Sequence, residues 1–175
     1  PTHAAGDYLI FAFGTRNSTI TGWDGSLTRL LHNDADSNEG NDIFIKVAGA
    51  SEPSSYTFNK NTSGSGHSGV AISVRGPNTI GAATWQDNNP VLPDLTCIRN
   101  DIYIGFAFSA FVNVSMIAGW TGMANIAQGH DNTGGNYNLV AYDIIDQDSG
   151  SSGTYANLFP NTTYDGYAGV ILEFA

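Results

Sequence analysis

The chain carries one series of features twice. Gly6-Asp7 followed by the apolar run Tyr8 to Phe13 returns as Asn100-Asp101 followed by Ile102 to Phe108. Gly22-Trp23 returns as Gly119-Trp120, Ile43–Val47 as Asn138–Tyr142, and Gly69–Val74 as Gly166–Leu172. The spacing stays near about 95 residues throughout, too long for a solenoid repeat and suited to half of one domain, copied. Whatever one half folds into, the other must match, so the repeat restricts the architecture more than any single motif.

Within each copy the apolar residues alternate. Leu9, Phe11 and Phe13 point one way and Tyr8, Ile10 and Ala12 the other, so both faces of this strand suit a central position. Ile102, Ile104, Phe106 and Phe108 share one face of its copy. Ile43 and Ile45 alternate with Phe44 and Lys46, and Val70, Ile72 and Val74 with Ala71, Ser73 and Arg75. Ala168, Val170, Leu172 and Phe174 alternate with Gly169, Ile171 and Glu173, and Phe111 to Ala118 reads as a further strand. Breaker clusters separate these runs at 33–41, 59–69, 129–136 and 146–153, and no window sustains a helical stripe. The expectation is an all-β domain over residues 1–175, a jelly-roll-like antiparallel β-sandwich built from two homologous halves. Residues 6–76 form the first half, 77–99 the connection and 100–175 the second half, each half supplying strands to both sheets.

Charge removes several classes of function. The net charge is −10, with six scattered cationic side chains. Nucleic-acid binding requires a cationic stripe that displaces counterions, so no nucleic-acid partner is expected. Anionic lipid is disfavoured for the same reason, and no apolar run approaches the about 20 residues of a membrane span. Cys97 stands alone and reads as a small buried hydrophobe. A surface rich in Asn, Gly, Ser, Thr and Asp and poor in Lys suggests an exterior protein. The chain opens on Pro1 rather than Met, which implies an upstream segment.

Several of these residues carry a resemblance. Gly6-Asp7 opening an apolar strand, the later Gly-Trp, the run Ala50-Ser51-Glu52-Pro53-Ser54-Ser55-Tyr56-Thr57-Phe58, and the closing Val70 to Gly76 are similar to a β-sandwich unit of phage virion proteins and of bacterial or environmental surface proteins of unassigned function. The likeness covers nearly the whole chain. It implies a sandwich fold, a virion-exterior or extracellular location, and symmetric homo-oligomers, with a trimer as the expected state. In that family a further strand ending in proline precedes the Gly-Asp, and Pro1 to Ala5 resembles the tail of such a connection. The family carries no catalytic motif to transfer, and no cofactor is expected.

Each of the chemically suggestive motifs also has a structural reading. Asp34, Asp36 and Asn38 match the first three ligand positions of an EF-hand loop, but Glu39 takes the place of the glycine and Ile45 that of the bidentate Glu, so a solvated loop outweighs calcium. Gly64-Ser65-Gly66-His67-Ser68-Gly69 leads into a strand with no helix behind it, unlike a nucleophile elbow. His3, His32, His67 and His130 show no metal-ligand spacing, although His32 and His130 hold matching places in the repeat. Three glutamates, Glu39, Glu52 and Glu173, offer no same-face acid pair for glycoside hydrolysis. Asn17, Asn61, Asn113 and Asn161 head N-glycosylation sequons, expected by chance in so Asn- and Thr-rich a chain.

Aromatic residues are the remaining candidates. Trp23 and Trp120 recur at matching points, which suggests packing. Trp85 lies in the unduplicated connection, and Tyr137, Tyr142, Tyr155, Tyr164 and Tyr167 cluster in the second half. Trp85, Tyr137, Tyr155 and Tyr164 are thus the expected ligand or interface residues, able to stack on a sugar ring or to bury against a neighbouring subunit. The expected function is non-enzymatic: an exterior structural or attachment protein such as a capsid decoration, head-fibre or tail-fibre domain, with other virion or surface subunits as partners. The alternative is a carbohydrate-binding module with glycans as ligands.

Overall fold

The structure is a computed structural model that describes residues 2–16, 18–36, 39–61, 66–77, 79–86, 96–97, 101–109, 124–131, 137–147, 150–151 and 166–173. The strands are β1 Tyr8–Arg16, β2 Ile20–Trp23, β3 Thr28–Asp36, β4 Glu39–Val47, β5 Phe58–Lys60, β6 His67–Val74 and β7 Thr79–Gln86. They continue with β8 Thr96–Cys97, β9 Asp101–Ser109, β10 Ala124–Asp131, β11 Tyr137–Gln147, β12 Gly150–Ser151 and β13 Gly166–Glu173. The fold is all-β, with every sheet antiparallel. The predicted strand at 111–118 lies outside the described residues.

One sheet has the order β3-β4-β1-β6 and a second the order β10-β11-β9-β13-β7. This corrects the expectation that each half feeds both sheets. Strands of the first half build the first sheet; those of the second half, joined by β7, build the second. The physical reason is proximity along the chain: β3 and β4 pair as a hairpin across a very short connection, and such local pairing costs little loop-closure entropy. Strands at matching repeat positions take the same places in their sheets, β3, β4, β1 and β6 answering to β10, β11, β9 and β13.

A shared core joins the two sheets. Tyr8, Ile10, Ala12, Ile43, Ile45, Val70, Ile72 and Val74 from the first meet Ile104, Phe106, Phe108, Val170 and Leu172 from the second. These are the residues that the period-two pattern places on single faces of β1, β4, β6, β9 and β13. Each fully buried Phe, Ile or Leu side chain contributes about 1.5–3 kcal/mol relative to exposure.

The opposite face of the first sheet is also covered. The chain leaves this sheet twice, and the two excursions pair as a β2–β5 ribbon. Leu9, Phe11, Ile20, Leu27, Phe44 and Ala48 form a second core there, with Phe13, Trp23, Tyr56 and Phe58 against it. β1 is therefore central in its sheet and buried on both faces, as its two apolar faces predict. Gly69 accommodates this packing, since a Cβ at that position would come within 2.6 Å of the Phe13 ring.

Local chemistry fixes where β1 begins. Gly6 has φ of 90°, a left-handed conformation that glycine adopts without penalty. The following Asp7 is buried, and its Oδ2 accepts a hydrogen bond from the Ala4 N–H at 2.7 Å. The Gly-Asp pair is thus a strand-entry device.

The stretch expected to be a connection holds β7. Ile80, Ala83 and Trp85 face the shared core, but the step from 80 to 83 breaks simple alternation. A register shift opposite Ile171 and Leu172 accounts for it, a bulge beside Gly81 that hides the strand from a period-two reading.

Candidate functional site

The outer face of the first sheet holds the ionisable clusters described below. Lys46, on β4, reaches the loop before β5, where its Nζ stands 2.7 Å from Glu52 Oε2. The same carboxylate accepts the Tyr56 hydroxyl and the Gly49 backbone N–H. The Lys46 ammonium, the Tyr56 hydroxyl and the Gly49 N–H together hold the Glu52 carboxyl down at about 2. The hydrogen bond to Glu52 raises Lys46 in turn. Glu52 is a carboxylate of low basicity, badly suited to take a proton at neutral pH. Its role is to hold the 48–57 loop against the sheet.

That clamp has a pH signature. A folded-state pKa below the ordinary 4.5 gives stability that is fully present above 4.5 and lost as pH falls toward about 2. Thermal melts between pH 6 and 2 are expected to show a steeper loss for the wild type than for Glu52→Gln over that window. Parallel curves would mean that the clamp does not form.

Beside the clamped loop lies a pocket of about 370 Å³. Leu9 and Phe11 of β1 line it together with His3 and with Pro53, Ser54, Ser55 and Tyr56 of the clamped loop. The Tyr56 ring stands 5.0 Å from the Phe11 ring, and its hydroxyl is fixed by Glu52, so this wall is held in place before any ligand arrives. Among the described residues that line it, none is an acid, a lysine or an arginine.

A second cluster centres on Asp42 of β4, whose side chain is fully buried. Its Oδ1 lies 3.1 Å from Arg29 Nε and 2.7 Å from His32 Nδ1, both on β3. The Arg29 contact is an ion pair without hydrogen-bond alignment, and Asp42 Oδ2 has no hydrogen-bond partner among the described residues. Burial therefore outweighs the attraction of Arg29 and raises the Asp42 carboxyl. Arg29 Nη2 donates to the Ile20 carbonyl, and the guanidinium lies 4.4 Å from the Trp23 ring centroid. The cluster ties β3 and β4 to the ribbon.

The structure places the sequence candidates elsewhere. Trp85 is half-buried on β7, packed on the shared core with its ring 5.1 Å from that of Phe108. Tyr137 opens β11 opposite Asp131. Tyr155 and Tyr164 lie outside the described residues, as do Trp120, Asn38 and Ser65. The backbone at Asp34 and Asp36 is extended within β3, which pairs Asp36 with Glu39 of β4, rather than wound as an EF-hand loop is. Ser68 is a buried residue of β6, not the tip of an elbow. Asn61 uses its carboxamide oxygen to accept the Thr19 N–H at 3.0 Å. Among the described residues, no group of three His, Cys, Asp or Glu side chains could hold a metal ion.

Sequence reasoning missed the pocket. In the sequence Glu52 stands as one of three unpaired glutamates and, with Pro53 to Tyr56, as part of the run that carries the resemblance, with nothing that marks a pocket. The available signal was a lone Glu in an uncharged loop, four residues before a Tyr. No protein family, curated protein or solved structure matches the chain.

Proposed function

We propose that this chain is a non-enzymatic structural or attachment module of a virion exterior or comparable extracellular assembly. In this reading it is a duplicated sandwich of jelly-roll character that docks on neighbouring subunits by surface complementarity. The matching strand orders of the two sheets support the duplication. One observation carries the functional reading: the protected acids are spent on architecture. Asp42 pairs with Arg29 across two strands, Glu52 clamps a loop, and Asp7 caps the entry to β1. Among the described residues none of the three is paired with a second acid, and Glu52 is held at a basicity unsuited to proton transfer at neutral pH.

The test is the identity of the chain's neighbours in its native assembly, read by cross-linking and mass spectrometry. Ordered contacts with identical or capsid-like subunits are expected. A chain cross-linked to nothing, or turning over a substrate, would overturn the reading. A second reading, a carbohydrate-binding module, is favoured by the Phe11–Tyr56 pocket, which offers aromatic surface and hydroxyls together.

A further inference from the structure

We infer that the pocket over Phe11 and Tyr56 binds a neutral sugar unit, one or two hexose rings in length. The inference rests on the carbohydrate reading and assigns it a place different from Trp85 and the second-half tyrosines. Three observations select the ligand class. The volume, about 370 Å³, lies at the lower end of small-molecule sites. The lining combines apolar Leu9, Phe11 and Tyr56 with the hydroxyl-bearing Ser54 and Ser55. A pyranose has the same division, with C–H groups on its faces and hydroxyls at its edges, and aromatic rings stack on such faces.

Charge supplies the third selection. The described lining residues include no acid, lysine or arginine, and the nearby Glu52 carboxylate is already matched by Lys46, Tyr56 and the Gly49 N–H. A cationic ligand would meet no acid among the described lining residues, an anionic one would meet only the His3 imidazole, and a net charge of −10 repels anionic sugars further. A proline-rich peptide, the other ligand that suits tyrosine and proline, docks along an extended groove and makes less use of paired serines.

Saturation-transfer NMR with glucose, galactose, mannose, maltose and cellobiose tests the assignment, with galacturonate and a polyproline peptide alongside. At least one neutral sugar is expected to bind with a Kd in about the millimolar range. Ser55→Trp, an exposed position at which the indole fills the pocket, is expected to weaken that binding by about tenfold or more while the melting temperature holds. Ser54→Trp provides the same obstruction from the adjacent residue should Ser55→Trp melt early. Silence from every neutral sugar, or binding by the peptide alone, overturns the inference. Sugar binding that survives both tryptophans also overturns it, while leaving the carbohydrate reading in place at another site.

Discussion

Phe44→Ala is expected to lower the unfolding free energy by about 3–5 kcal/mol, the cost of truncating a fully buried phenylalanine. Phe44 has no exposed surface and sits in the core between the first sheet and the β2–β5 ribbon. Its ring lies 5.0 Å from Trp23, 5.1 Å from Phe58 and 6.2 Å from Phe13. The Arg29 guanidinium stands 5.4 Å from its centroid. Truncation removes the surface on which two strands of ribbon and one strand of sheet converge, and neighbours anchored in strands can close only part of the cavity. Urea denaturation provides the check, with a lower midpoint at unchanged slope as the expected result. A loss below about 1 kcal/mol would place Phe44 in the range of surface substitutions and show that the ribbon does not cover the sheet.

Asp42→Ala is expected to cost about 2–3 kcal/mol, somewhat less than the usual loss on breaking a buried ion pair. The discount has a structural source, because Arg29 is 23% exposed and keeps its contact with the Trp23 ring when the carboxylate is gone. Removing Asp42 also relieves the burial that raises its carboxyl. Asp42→Asn should cost about 1 kcal/mol, since it retains the shape and an acceptor oxygen toward β3. The sign with pH runs opposite to that of Glu52. A raised folded-state pKa gives stability present below the ordinary value of 3.8, and it is lost as pH rises through the folded value. Wild type and Asp42→Asn should therefore draw further apart in stability on acidification, the wild type gaining relative to the variant. Equal losses for Ala and Asn at neutral pH would show that charge, not shape and hydrogen bonding, is what Asp42 supplies.

The strands at the centre of each sheet were legible because burial writes itself into sequence with period two. Leu9 to Phe13 declared both faces of β1, and Ile102 to Phe108 one face of β9. β7 escaped because a bulge at Gly81 breaks the alternation between Ile80 and Ala83. The β3–β4 hairpin was hidden by polar residues at its tip, which read as a loop although the ladder continues to Asp36 and Glu39. Partition of the halves between sheets was not legible, since alternation assigns faces but not neighbours. The Asp42 cluster depends on β3–β4 register, which sets His32 opposite Asp42 and Arg29 opposite Phe44. The Glu52 clamp joins residues within ten positions of one another, so it was the part of the site that local sequence could have revealed.

The function proposed for this fold is surface association. Native mass spectrometry across a wide concentration range addresses it directly, because a self-assembling module populates its oligomer by mass action. A closed symmetric species of three copies, growing in proportion as concentration rises, is the expected result. A monomer at every concentration would contradict it.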